Sequence, residues 1–212
     1  LNRPIATLKM CVSYMGNEQL MQDVASRQTV IADSHLALDS LSAYFAKLRD
    51  LTFSRATEIP LNLSSFSLRD LLNICIGKLN PSNNKKVVVN LHPDTDITIT
   101  ADKIHLINII DNLLENAVKY SREDVHIEID YQEQDNDSIR ISVKDNGLGI
   151  SKSDSRHIFE KFYRSRAVID KGIPGMGLGL TYVRMLVEAH HGTIRIESEQ
   201  TSGSTFIIEL PQ

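Results

Sequence analysis

From Ile5 to Met15 the apolar residues Ile5, Leu8, Val12 and Met15 follow one another at spacings of three and four, the repeat of a helix with one apolar stripe. Gly16-Asn17 predicts its end. A second series, Ile31, Leu38, Leu41, Phe45 and Leu48, with Ser34 and Thr52 at the remaining positions, keeps a heptad register through about three repeats. Such a register predicts a coiled seam. Two helices with narrow stripes bury little surface alone, so they are expected to form an antiparallel hairpin that pairs with a second copy as a four-helix bundle. The competing expectation is that the stripes pack on the rest of the chain.

Pro60 and the polar stretch Asn62-Leu63-Ser64-Ser65 break the helical pattern, which places a domain boundary near Glu58. Residues 1–58 are thus expected as a helical dimerisation domain and 59–212 as a second domain of different grammar. In it, Leu68 to Leu79 reads as an amphipathic helix, Pro81 to Asn84 as a loop, Lys85 to Val89 and Thr98 to Thr100 as strands. Asp102 is placed to cap a helix reaching about Tyr120, with Leu106, Ile109, Ile110, Leu113, Leu114 and Ala117 inward. Clean alternations come later at Val125 to Tyr131, Ile139 to Val143, Ile194 to Ile196 and Phe206 to Leu210, with a helix from about Leu180 to His190 among them. Period two with one polar face predicts a sheet covered on one side. The expected class is an α+β two-layer sandwich preceded by the helical hairpin.

The 212 residues, 42% hydrophobic and 24% charged, exclude a disordered or fibrous chain. A net charge of −4 supplies no global positive field, so nucleic acid is not an expected partner. The two cysteines, Cys11 and Cys75, lie in apolar surroundings and read as buried thiols, not as a disulfide framework or zinc site. No run approaches ~18 apolar residues, so a membrane anchor would lie outside this stretch. The opening Leu1-Asn2-Arg3-Pro4 reads as the interior of a longer chain.

Chemistry enters at Asp111 to Tyr120. Asn112, Asn116 and Lys119 emerge on one face of their helix. Amide oxygens can ligate a hard divalent cation and a lysine can meet phosphate oxygens, although taken alone these residues describe a solvated helix face equally well. Two glycine turns change the balance. Asp145-Asn146-Gly147-Leu148-Gly149 comes directly after a strand and holds a carboxylate where glycines admit a ligand. Gly175-Met176-Gly177-Leu178-Gly179-Leu180 precedes a helix, whose N–H groups and dipole favour an anion.

In this order the motifs resemble those of the cytoplasmic core of sensor histidine kinases of two-component systems. Asn112 to Tyr120 resembles the N box of that family, Asp145 to Gly149 its first glycine box and Phe159-Glu160-Lys161-Phe162-Tyr163-Arg164 its F box. Gly175 to Gly179 resembles its second glycine box, and Gly203-Ser204-Thr205 its terminal glycine motif. The resemblance implies the Bergerat ATP fold shared with gyrase-type ATPases and heat-shock chaperones, with ATP and Mg2+ bound. It implies Asp145 on the adenine amino group, Asn116 as the magnesium ligand, and Asn112 and Lys119 on phosphate or metal. Tyr120 would lie against the nucleotide, the segment between Arg164 and Pro174 would be a mobile lid, and Gly175, Gly177 and Gly179 would follow the phosphates, with Leu178 and Leu180 in the same implied ATP-binding set. Gly147, Gly149, Lys161, Tyr163 and Thr205 complete the implied ATP-binding set; Arg164, Arg166 and Lys171 are candidate phosphate partners or solvated surface. It further implies a homodimer through residues 1–58, a response-regulator receiver domain as partner, and a cytoplasmic position in a membrane-anchored bacterial sensor.

The N box also separates enzyme classes. Related ATP hydrolases carry a glutamate as water-activating base one turn before the magnesium asparagine; here that position is Asn112, which cannot take a proton at neutral pH. Glu115 is one residue from Asn116 and points elsewhere on the helix. ATP is therefore expected to serve another nucleophile, with a true ATPase or a non-catalytic nucleotide-binding scaffold as the rival readings. In the family the nucleophile is the histidine of His-Glu-Leu-x-x-Pro. Leu1 to Pro4 matches the Leu-x-x-Pro portion of that motif, so the acceptor is expected two residues before Leu1. Histidines 35, 92, 105, 126, 157, 190 and 191 lack that context and read as surface or packing residues. The same motif puts Arg3 where many relatives carry a Thr or Asn that orients water for regulator dephosphorylation.

Overall fold

The computed structural model describes residues 2–16, 23, 26–38, 41, 59–79, 85–121, 124–135 and 137–212. The chain divides into two compact units, Leu1–Glu58 and Ile59–Gln212. In the first, α1 runs Asn2–Met15 and ends at a turn on Gly16, and α2 runs over 26–38. Pro4 and Cys11 of α1 and Ala37 of α2 are buried, whereas Ile5, Val12 and Met15 of the expected stripe, with Ile31 and Leu38, stand exposed. On α1 the buried residues are Pro4 and Cys11, and of the expected stripe only Leu8 is half-buried. Phe45, Leu48, Thr52, the Pro81–Asn84 loop and the side chain of Arg3 lie outside the described residues.

The second unit contains β1 (Leu63–Ser67), α3 (Leu68–Gly77), β2 (Lys86–His92), β3 (Thr98–Asp102) and α4 (Lys103–Tyr120). It continues through β4 (Asp124–Gln134), β5 (Ser138–Asp145), a 3-10 turn (Asp154–Arg156), α5 (Arg166–Asp170), α6 (Gly179–Ala189), β6 (Thr193–Ser198) and β7 (Ser204–Pro211). Five strands form one sheet in the order β2-β4-β5-β7-β6, parallel only at β2-β4, while β1 and β3 pair antiparallel in a separate ribbon. Register fixes the faces. Ile129 stands opposite Val143 and Val143 opposite Phe206, so the alternating apolar residues of three strands share one side. The buried faces of α3, α4 and α6 join the same core, giving two layers. Each fully buried Leu or Ile there contributes about 1.5–3 kcal/mol of apolar burial, which is what commits the helices to that side. Among the described residues no helix is long and apolar enough to cross a membrane.

β1 contradicts the reading of 62–65 as a mere breaker: Leu63 to Ser67 pairs with β3 from Asp102 back to Thr98. Its Ser-rich sequence hides the strand because β1 is largely solvated and tertiary pairing, not propensity, makes it.

Candidate functional site

Helix α4 carries the site because both its ends are held from outside. At its start the Asp102 carboxylate accepts the His105 N–H at 3.0 Å as N-cap and the Asn62 N–H at 2.8 Å. Burial pushes the Asp102 pKa up, but these backbone N–H groups and the neighbouring His105 outweigh it and hold the carboxyl below its ordinary value. At its end the Lys85 ammonium donates to the carbonyls of Val118 and Ser121 at 2.6 and 2.7 Å.

Along the helix Asn112 is buried and donates its Nδ2 to the Asn108 carbonyl at 2.6 Å. Its Oδ1 would lie 3.2 Å from a Cβ placed on Gly179, so the glycine lets the first turn of α6 approach the Asn112 amide closely. Asn116 and Lys119 are half-buried, and Glu115, just before Asn116, is exposed. The Lys119 ammonium sits 4.9 Å from the Tyr120 ring centroid, and a Cβ on Gly175 would fall 2.6 Å from it. The N-box helix thus touches the second glycine turn at two points.

The first glycine turn closes on the last residues of α4. A Cβ on Gly147 would meet Asp145 Oδ1 at 2.7 Å, the Tyr120 carbonyl at 3.0 Å and Ser121 Oγ at 3.2 Å. Asp145 accepts the Gly147 N–H at 2.7 Å, and Leu148 N–H donates to the Tyr120 carbonyl at 3.1 Å. Burial pushes the Asp145 pKa up, opposed by the N–H groups of Gly147 and Ser204. Asn146 clips the turn to β4, accepting from His126 N–H at 2.9 Å and donating to the Asp124 carbonyl at 3.0 Å. Gly149 lies against the Glu199 carbonyl, and Gly203, at φ +89, passes so near Asp145 that a Cβ would come within 1.9 Å of its carbonyl oxygen.

Thr205 is not brought to this site. It pairs with Lys144 and Glu197 on the sheet face away from the helices, and Ser204, opposite Asp145 and 3.0 Å from Ser198 Oγ, occupies the near face. The terminal motif could have shown this, since Ser204 and not Thr205 has the parity of Phe206, Ile208 and Leu210. Ser121, whose buried Oγ has no partner among the described residues, and Lys85 escape the sequence reading; one reads as a helix end and the other as a strand start.

Residues 164–176 form a loop clipped at its base. Phe162 N–H donates to the Gly177 carbonyl at 2.9 Å, and Gly177, at φ +71, leaves room for the Tyr163 carbonyl where a Cβ would lie 2.5 Å away. The Tyr163 hydroxyl donates to Asp154 Oδ1 at 2.6 Å, which pushes the phenol up to about 12 and, with Ser151, lowers Asp154. Arg164 Nη2 donates to the Ile173 carbonyl across the loop, while Lys161, Arg166 and Lys171 are exposed. Leu178 is buried and Leu180 half-buried at the entry to α6.

The arrangement offers a half-buried carboxylate at Asp145 and an ammonium at Lys119 beside the glycine turn that opens α6. The pair suits an elongated ligand with hydrogen-bond donors at one end and negative charge at the other. Residues 101–212 match the family described as histidine kinase-, DNA gyrase B- and HSP90-like ATPase. The chain belongs to this family. Within it, the chain is 40% identical over 129 residues to the sensor protein RprX of Bacteroides fragilis, covering 60% of this chain and 25% of that protein. It is 31% identical over 178 residues to the sensor histidine kinase GacS of Pseudomonas protegens, covering 81% and 19% respectively. The chain thus spans a quarter or less of the length of these relatives. Full-length ShkA in complex with AMPPNP superposes with a TM-score of 0.75 at 25% identity, over 99% of this chain and 43% of that one. The histidine kinase AdeS of Acinetobacter baumannii, at 19% identity and TM-score 0.66 over 98% and 94%, shares the fold.

Proposed function

We propose that the chain is the core of an ATP-dependent protein-histidine kinase. It would bind ATP with Mg2+ between α4 and the two glycine turns and pass the γ-phosphoryl group to a histidine, then to the receiver domain of a response regulator. The observation that carries the reading is Asn112. Its amide is buried, engaged with Asn108, and has no basic site with which to take a proton from water. Asp145 would accept an N–H of the base, Lys119 and the N–H groups opening α6 would meet the phosphates, and Asn116 would lend its amide oxygen to the metal. The gap kept by Gly175 beside the Lys119 ammonium supports this fit. Bound magnesium would neutralise phosphate charge; the chain's own residues would orient the nucleotide, and Asn112 offers no base to activate water. Dimerisation through residues 1–58 belongs to the same proposal, supported by the exposed apolar positions of α1 and α2. So does membrane attachment through parts outside this stretch.

The test adds a His-Glu pair before Leu1. That chain should take an acid-labile phosphate from ATP and hand it to a receiver domain, while the 212-residue chain turns over ATP no faster than its Asn116→Ala variant. Steady hydrolysis well above that background would favour the ATPase reading.

A further inference from the structure

We propose that Lys85 is a positioning residue for the nucleotide site. It locks the last turn of α4 so that Lys119 and Tyr120 face the cleft and the Asp145 turn has a fixed anchor. The inference rests on the nucleotide reading above.

An α-helix leaves its last carbonyls without intrahelical donors. Many helices close with a glycine in left-handed geometry, but α4 does not: its C-cap is Ser121, extended at φ −86 and ψ 164, and no backbone capping bond is found among the described residues. Lys85 supplies the missing donors. Its half-buried ammonium reaches two of these carbonyls, Val118 and Ser121, from a position just before β2 and 33 residues from Val118 in sequence. Both bonds are charge-assisted, and the cation lies at the negative end of the helix dipole.

The two gripped carbonyls bracket Lys119 and Tyr120. The Tyr120 carbonyl between them accepts the Leu148 N–H, and Gly147 packs against that carbonyl and Ser121 Oγ. Asp145 is tied to Gly147 by the 2.7 Å bond from its N–H. One ammonium therefore fixes a turn on which both the cationic end and the carboxylate end of the cleft depend. Without it the Val118 and Ser121 carbonyls would turn toward water, and the last turn of α4 would fray. Nucleotide would then have to order this turn on binding, at a cost in affinity.

Calorimetry of the 212-residue chain with AMP-PNP and magnesium tests this directly. Lys85→Met, which keeps the stem and loses the charge and donors, should weaken binding about tenfold, the scale of one charge-assisted hydrogen bond. Lys85→Arg should recover affinity to within about threefold, because the guanidinium restores a cationic donor. Amide hydrogen exchange supplies the readout that general destabilisation would not reproduce: Gly147 and Leu148 should exchange faster in Lys85→Met while β6 and β7 are unchanged. Failure of the unaltered chain to bind AMP-PNP would overturn the nucleotide reading itself. Binding by the unaltered chain with equal affinity in Lys85→Met, or faster exchange spread evenly over the sheet, would overturn the role of Lys85 alone. Should the Met variant not fold, Lys85→Gln carries the test; this shorter uncharged donor should lose about threefold, and unchanged affinity there also overturns the role.

Discussion

At Asp145 the chain holds a carboxylate in partly desolvated surroundings with its charge met by backbone N–H groups and no cation. Folding raises its pKa above the ordinary 3.8, so the folded state binds this proton more readily than the unfolded state does. The favourable contribution is complete below that ordinary value and is lost as pH rises through the raised one. At neutral pH the ionised group bears a desolvation cost that the Gly147 and Ser204 N–H groups offset only in part, and a ligand donating to the carboxylate would relieve the rest. Asp145→Asn keeps the oxygen that accepts the Gly147 N–H and removes the charge. The variant should melt a few degrees higher than the unaltered chain at pH 7, with the gain fading near pH 4, and should bind nucleotide at least about tenfold more weakly. Melting curves at the two pH values with calorimetry check both halves; a lower melting temperature at pH 7 would show that the ionised carboxylate stabilises the empty site.

At the scale of elements, the segment between the F box and the second glycine box is tied at its base. Its two ends meet where Phe162 N–H reaches the Gly177 carbonyl, and the Tyr163–Asp154 hydrogen bond ties that junction to the 3-10 turn. Asp154, lowered by Tyr163 and Ser151, contributes stability that is present above the ordinary carboxylate pKa and lost as pH falls through its lowered value, while the phenol stays protonated up to about 12. The tie is thus intact at neutral pH. Tyr163→Phe should speed tryptic cleavage at Lys171 roughly threefold to tenfold at pH 7, and Asp154→Ala should do the same without adding to it in the double variant. Equal cleavage rates would mean the base of the loop is held elsewhere.

This loop also marks how far the sequence could be read. Helices α3, α4 and α6 and the core strands were legible because their apolar periodicity survives in every turn, and α4 begins and ends where Asp102 and Tyr120 predict. The glycine turns were legible because close approach leaves a mark in residue type. What was not legible depends on partners remote in sequence. β1 forms only against β3, Lys85 acts only on a helix end 33 residues later, and the Tyr163 hydroxyl turns to Asp154 instead of standing free for a ligand. Thr205 failed on parity: one residue's shift along a strand exchanges the faces of the sheet.

For the whole molecule, the question is what covers the first unit. Its buried residues on α1 are small or short, Pro4 and Cys11, whereas Val12 is 67% exposed and Leu38 50%, with Ile5, Met15 and Ile31 also open to solvent. A single copy therefore leaves much of the apolar material of these helices uncovered, a burden that soluble monomers generally avoid. Pairing with a second copy would bury it, as a four-helix bundle does. The exposure in one copy makes the experiment clean. A glutamate at an exposed position costs an isolated chain within about 0.5 kcal/mol, but an unpaired charge buried in a seam costs several kcal/mol. Val12→Glu and Leu38→Glu should accordingly leave the far-ultraviolet spectrum and nucleotide affinity of the chain unchanged while shifting its sedimentation from dimer to monomer. A dimer that keeps its mass with both substitutions would place the seam on another face, and a monomeric unaltered chain at micromolar concentration would remove the need for one.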